Sequence, residues 1–275
     1  MNKQISNLVA FFLLFFIILT SCDDKVEYDL IRPESGPQKV LVEEVSGVRC
    51  PNCPDGTRLL DALQKEFDSS LVVVTFHAGS FSFPYSESKY DFKTDQTVEL
   101  LQKLGSPLGY PAAIIQRTKA SQGDGYPQLS NTWSSSISNA LSVEPKIKIN
   151  LETVITADEH VKLIYNLLFL EKMDGPVFTN IYLLEDGLID YQADLRDDNG
   201  VVEKYEHNHV LKQIITPING EILGNSFDIL ETYTDSITLD LKSYDNIEVP
   251  QNTSLIVFIT RDDKVLQVEK AYNYP

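Results

Sequence analysis

The sequence predicts an α/β layer followed by an all-β layer, and three observations carry that prediction. Strand-like and helix-like apolar periods alternate from residue 39 to 142. At Pro145 the helical period stops, and only strand-like runs follow. The chain of 275 residues is 43% hydrophobic, with 13 Phe and 13 Tyr, which is enough to bury a core without disulfide staples and excludes a disordered chain. The charge is one-sided: 40 Asp and Glu against 23 Lys and Arg give a formal −17, which excludes nucleic acid as a partner and electrostatic attachment to anionic lipid.

Residues 1–21 read as an export signal. Lys3 is the only charge before an unbroken apolar run over 8–19. That run makes ~18 Å of helix, too short for the ~30 Å hydrocarbon core of a bilayer. It fits a signal h-region instead. Leu19-Thr20-Ser21-Cys22 resembles the bacterial lipobox, in which the cysteine becomes the lipidated first residue. The resemblance implies cleavage before Cys22 and acyl chains on it, palmitate among them. Residues 22–38 carry Pro33, Gly36 and Pro37 without periodicity and read as a tether.

The α/β layer, residues 39–142, follows element by element. Residues 40–45 form a short apolar strand, and 55–67 have helical spacing through Leu59, Leu60, Leu63 and Phe67. Residues 71–76 are nearly all apolar and β-branched, as in a strand buried on both faces. Thr94 is placed to cap a helix carrying Val98, Leu101 and Leu104, which Gly105 closes. A further strand over 112–116 precedes a helix over 129–141 with Trp133, Ile137 and Leu141 on one face. In the all-β layer, residues 145–275, seven strand runs are separated by turn signals such as Asp198-Asn199-Gly200 and Asn219-Gly220. They occupy 146–153, 162–170, 178–184, 209–215, 236–241, 253–260 and 265–271, a pattern that suggests an antiparallel sandwich of immunoglobulin-like architecture.

Two of the three cysteines make one site. Cys50-Pro51-Asn52-Cys53 lies between the first strand and the first helix. The free N–H groups and partial positive charge of a helix N-terminus favour a thiolate on Cys50, and the spacing lets Cys53 resolve a mixed disulfide. A zinc site needs two more ligands, and no cysteine remains once Cys22 is lipidated, so redox chemistry is favoured over zinc. A closed structural disulfide is the other reading, although a loop this short gains little chain entropy from closure.

Strand, C-x-x-C, helix, strand, helix and Gly109-Tyr110-Pro111 leading into a strand resemble a thioredoxin fold over residues 39–142. The resemblance implies a cis Pro111 facing the disulfide, with the Tyr110 backbone offered to an extended substrate segment. It also implies a buried acid at Glu44, six residues before Cys50, that manages the proton of Cys53. Either Glu44 or Glu43 must face away from the other, and both are read equally well as solvent-facing. A wider likeness is to the twenty-eight-kilodalton outer-membrane lipoprotein (Omp) family of Bacteroidota. It rests on residues 40–47 before C-x-x-C-P, His77-Ala78-Gly79, Gly109-Tyr110-Pro111 and residues 205–211. That likeness implies a lipid anchor in the outer membrane, on its periplasmic or cell-surface face, with a thioredoxin-like domain followed by the sandwich. Two departures stand out. Arg49 replaces the aromatic that precedes the first cysteine in thioredoxins, and residues 79–93 are an added loop whose Phe81, Phe83, Tyr85 and Tyr90 cover the cysteines.

His77 ends the central strand on the edge that bears the C-x-x-C, where it can exchange protons with the thiols or serve as a hydrogen-bonded structural residue. His207 and His209, with Glu203 or Glu206, are a weak metal-ligand pair, read more simply as a buried polar network. Asp194, Asp197 and Asp198 form a calcium-like cluster without the regular alternation of a calcium loop, and so read as a solvated turn. No hydrolase, phosphate-loop or zincin motif appears, and no cofactor or metal is expected. Two functions follow. One is thiol–disulfide exchange by Cys50 and Cys53 with exported proteins or peptides, supported by Glu44, His77 and Pro111. The other is a non-catalytic surface binding or adhesion protein that keeps the fold as a scaffold and uses the sandwich for a surface ligand.

Overall fold

The computed structural model describes residues 36–272 apart from 122 and 124. The export signal, Cys22 and nearly all of the tether lie outside the described residues. The fold is mixed α/β and dominated by strand. Strand β1 (Val40–Ser46) pairs in parallel with β2 (Leu71–His77) and antiparallel with β3 (Ala112–Ile115). Both long strands are buried along their whole length, which their near-continuous Val and Leu content requires. Helix α1 (Cys53–Phe67) joins them, α2 (Asp95–Leu104) follows, and α3 (Trp133–Leu141) comes after the two-residue edge strand β4 (Gln128–Leu129). Thr94 caps α2 as expected, in a reciprocal pair with Thr97, and the Gly105 N–H closes the helix on the Leu101 carbonyl at 2.9 Å.

The remaining strands are β5 (Ile147–Ile155), β6 (Val161–Phe169), β7 (Met173–Glu185), β8 (Leu188–Ala193), β9 (Val201–His207), β10 (Val210–Ile214), β11 (Glu221–Phe227), β12 (Thr232–Leu239), β13 (Thr253–Arg261) and β14 (Lys264–Tyr272). They do not form a body separate from the α/β layer. The largest sheet runs β14-β13-β7-β10-β2-β1-β3-β4, with β11 also paired to β7. It crosses the boundary read at residues 142–145 where Val210 of β10 pairs with Thr75 of β2. Periodicity could not reveal this junction, since a strand's apolar run is the same whichever neighbour it meets.

Three layers of core hold the sheet. On one face of β1 and β2, Val40, Val42 and Val73 meet Leu60, Leu63, Trp133 and Ile137 of α1 and α3. On the other face, Leu41, Val45, Val74 and Phe76 meet Leu100 and Leu104 of α2 together with Tyr182, Phe258 and Val268. Farther along, Ile181, Leu183, Leu255 and Val257 pack across β7 and β13 onto Ile147, Leu163 and Leu167 of the three-stranded sheet β12-β6-β5. Each fully buried Val, Leu or Ile contributes roughly 1.5–3 kcal/mol.

Three local differences from the sequence reading have physical causes. Helix α1 starts at Cys53, two residues before the expected start, because Pro54 suits the first turn of a helix. The helix read over 129–141 starts only at Trp133. Gln128 and Leu129 serve as the edge strand on β3, and the Trp133 indole N–H donates back to the Gln128 carbonyl at 3.0 Å. Strands β8, β9 and β11 were not read from the sequence, because their acids, Gly224 and exposed positions break the alternation.

Candidate functional site

Cys50 and Cys53 lie at the carboxyl end of β1, where the chain turns into α1. They form a disulfide with Cα atoms 5.4 Å apart, and each residue is only 1% exposed. Cys53 is the first residue of the helix, so the bond sits against its unpaired N–H groups.

Each sulfur residue borders a different cavity. Cys50, Pro51 and Asn52 line an outward groove of about 440 Å³ with Phe81, Leu108, Gly109 and Tyr110. The Tyr110–Pro111 peptide bond is cis. A Cβ added at Gly56 would fall 2.6 Å from the Pro111 Cβ and 3.1 Å from the Trp133 ring, so the missing side chain lets Pro111 sit directly on α1, one turn from Cys53. Gly56 was not read as a site residue, although a glycine in the first turns of an amphipathic helix is a signal of close approach. Cys53 borders an inner polar chamber of about 90 Å³, lined with Thr57, Asp61, Thr75, His77, Tyr205, His207 and His209 among others.

Two segments cover the disulfide. The loop over 79–93 does so as expected: the Arg49 N–H donates to the Phe81 carbonyl, and its guanidinium donates to the Phe83 and Pro84 carbonyls at 2.9 and 2.8 Å while lying 4.3 Å from the Tyr85 ring centroid. Arg49 thus spends its donors on the loop. The second cover, the β8–β9 ribbon, was missed. The Gln192 side-chain amide donates to the Cys50 carbonyl at 3.1 Å, the Ala193 N–H to Val48 at 2.8 Å and the Leu195 N–H to Pro51 at 3.0 Å. Asp194 fastens it by accepting from Arg58 of α1 at 3.0 Å. Asp194 and Asp197 also cap the ribbon's own turn, accepting from the Arg196 and Asn199 N–H groups at 2.9 and 2.8 Å.

Glu44 and Glu43 both prove to be buried, on opposite faces of β1. Glu44 accepts from Thr75 Oγ1 at 2.9 Å and Thr57 Oγ1 at 3.4 Å. Burial pushes its pKa up to about 7, against the lowering effect of the two hydroxyls. Thr57 and Thr75 line the inner chamber, so Glu44 stands behind its wall. His77 is 1% exposed and neither ring nitrogen has a hydrogen-bond partner. Burial pushes its pKa well below the imidazole range, and His207 and Lys212 push the same way.

His207 and His209 do not share a strand face as the metal-pair reading supposed. His207 ends β9 and turns inward, with ring centroids 5.8 Å from His77 and 4.7 Å from Phe92. His209 lies in the turn before β10 at φ 58°, where its N–H and ring pair with Asp186. Among the described residues, no group of His, Cys, Asp and Glu converges as a metal site.

A buried C-x-x-C disulfide at a helix N-terminus, between an outward groove and an inner polar chamber, defines the class: a disulfide-bearing α/β protein rich in strand. Residues 102–273, more than half the chain, match the outer membrane protein Omp28 family, and the chain belongs to it. Its location is therefore the outer membrane. The matched segment begins within α2 and does not include Cys50 and Cys53. Among solved structures, the chain is similar to HBP35 of Porphyromonas gingivalis, with 14% identity and a TM-score of 0.65 over 86% of this chain and 75% of that one. It is also similar to protein AGR_C_4864 from Agrobacterium tumefaciens, with 10% identity and a TM-score of 0.53 over 86% and 95%. At these identities the likeness is one of fold alone. A domain of the outer membrane lipoprotein Omp28 from Porphyromonas gingivalis is 21% identical over 48% of this chain and 90% of its own, with a TM-score of 0.30. No curated protein matches the chain. Among the described residues, no helix is long and apolar enough to cross a membrane.

Proposed function

We propose that this protein is held at the outer membrane by acyl chains on Cys22 and that its Cys50–Cys53 pair exchanges disulfides with exported proteins or peptides. In this reading, residues 39–142 are a thioredoxin-like unit, and the antiparallel layers facing each other across Leu163, Leu183 and Val257 are an immunoglobulin-like sandwich that binds a partner. The observation that carries the proposal is the groove. It places Cys50 beside Tyr110, whose following residue Pro111 packs on α1. An extended peptide lying along Gly109 and Tyr110 would bring its own sulfur to Cys50.

The roles follow from the placement. Cys50, on the groove, is the attacking thiol. A partner disulfide breaks as the Cys50–partner bond forms, and the partner's other sulfur leaves with the electron pair. Cys53 then attacks Cys50 and releases the partner thiolate, while Glu44 receives the Cys53 proton. The test is exchange with a disulfide-containing peptide. Wild-type protein should exchange, Cys50→Ser should not, and Cys53→Ser should accumulate the mixed disulfide. A reduced wild-type pair inert toward such peptides would overturn the proposal. The near-complete burial of both cysteines favours a second reading, in which the disulfide is a fixed part of a binding or adhesion scaffold. Under that reading, Cys50→Ser leaves partner binding intact.

A further inference from the structure

His207, from the C-terminal half of the chain, packs on Phe92 and Tyr205 and lines the same chamber as Cys53. Its Nε2 is buried without a hydrogen-bond partner, as are both ring nitrogens of His77, 5.8 Å away between ring centroids. Buried polar atoms are nearly always paired, so three on two adjacent rings at one small chamber call for an explanation. The chamber, about 90 Å³ and polar, has room for water beside these rings.

We propose that His77 and His207 form a two-imidazole proton store for the dithiol, taking up a proton when the Cys50–Cys53 bond opens and returning it when the bond closes. The inference deepens the redox reading by giving the C-terminal half a direct part in the chemistry, and it rests on that reading for its purpose. Reduction by a small dithiol breaks the Cys50–Cys53 bond and places two electrons on its sulfurs, while the dithiol closes to its own disulfide. Two thiol protons must then be placed. One stays on a cysteine sulfur and the other goes to a chamber imidazole, leaving one thiolate balanced by one imidazolium.

Glu44 receives the Cys53 proton in the step that closes the bond, and the imidazoles act in the opposite step, when the bond opens and a thiolate forms beside them. Asp61 and Glu206 line the chamber and Glu44 lies behind Thr57 and Thr75, so three carboxyl groups oppose an added negative sulfur. Asp190 on β8 bears on His207 and favours its protonation. The nearby cations are already engaged: Lys212 on β10 with Glu185 at 3.5 Å and Arg58 on α1 with Asp55 and Asp194, while the His209 ring is turned to Asp186. Both His77 ring nitrogens and His207 Nε2 are buried without a partner at the chamber that Cys53 also lines. In the oxidised protein burial holds both neutral, His207 with a pKa of about 4, so the store is empty until a thiolate forms.

Full-length protein with isotope-labelled histidine, titrated by NMR with the pair oxidised and then under excess small dithiol, tests this. The midpoint of His77 or His207 should rise by about 1–3 pH units on reduction, the range expected for an opposite charge at close approach, while His160 stays fixed. His207→Asn assigns the resonance. Cys50→Ala gives a second route that needs no reductant, since Cys53 is then a free thiol, and the same rise is expected there as it ionises. Unchanged imidazole midpoints in both experiments would overturn the proposal. The two readings fail separately. A pair inert toward peptides that still moves an imidazole sinks exchange and keeps the store, and peptide exchange with unmoved imidazoles does the reverse.

Discussion

On β1, Glu43 and Glu44 point to opposite faces of the same sheet, and neither is exposed. Glu43 is closed off by charge. Arg117, itself buried, donates to both of its oxygens at 3.0 and 2.8 Å and to the Tyr182 hydroxyl at 2.7 Å, while lying over the Phe258 ring. This cluster ties β1 to β7 and β13 and so joins the two halves of the chain. Glu44 faces α1 and the disulfide with only two hydroxyls for partners, and burial lifts its pKa to about 7. Identical carboxyl groups, one residue apart, differ in charge environment because only one of them meets a guanidinium. A titratable group left short of a counter-charge on the disulfide face is what the proposed exchange would draw on.

The largest expected effect comes from breaking the paired face. Arg117→Ala leaves the Glu43 charge buried and alone, and should cost about 3–5 kcal/mol in urea unfolding. A loss below about 1 kcal/mol would mean that Glu43 finds water or a proton and that the two faces differ less than their geometry indicates.

Glu44→Gln sharpens the other side through pH. With a folded pKa of about 7 against an ordinary 4.5, Glu44 contributes stability that is complete below about pH 4.5 and is lost as pH rises through 7. At ~1.4 kcal/mol per unit the loss is roughly 3 kcal/mol. His77 and His207 act with the opposite sign. Their pKa values are lowered, so their contribution is complete above pH 6.5 and is lost on acidification, through about pH 4 for His207. Subtracting the stability profile of the Gln variant from that of wild type isolates the Glu44 slope. Parallel profiles would assign the raised pKa to another group.

The smallest effect is steric. Gly56→Ala places a methyl group 2.6 Å from Pro111 on the Glu44 face and should cost about 1–3 kcal/mol of stability, with a larger loss of peptide exchange than of global fold. Unchanged exchange and stability would show that Pro111 shifts freely and does not shape the groove.

Much of the site was legible in the chain. Cys50, Cys53 and Pro111 were found because spacing and order survive in sequence, and the cis bond and the disulfide lie where the motifs placed them. Thr94, Leu104 and Gly105 announced α2 in the same way. The cover of the β8–β9 ribbon could not be read, since Gln192, Ala193 and Leu195 act largely through amide groups that any residue presents. His207 reads from the sequence as part of a buried polar network, but its neighbour His77 does not, because side-chain proximity across some 130 residues leaves no local pattern. For Glu44 the sequence left a buried acid and a solvent-facing strand residue equally open, and it did not reveal that Glu43 is buried as well, since alternation does not say whether a strand has a wet face.

The sequence by itself determined most of the elements, the acidic charge and a C-x-x-C at a helix start, because periodicity, capping and spacing are local and each residue type carries its own chemistry. Tertiary structure alone decided that the two halves share one sheet, that Arg117 claims Glu43 and leaves Glu44 short of a counter-charge, and that His207 meets His77 beside Cys53. The reason is physical: burial and counter-charge are set by what packs against a residue, and for these residues the packing neighbours lie scores of positions away along the chain.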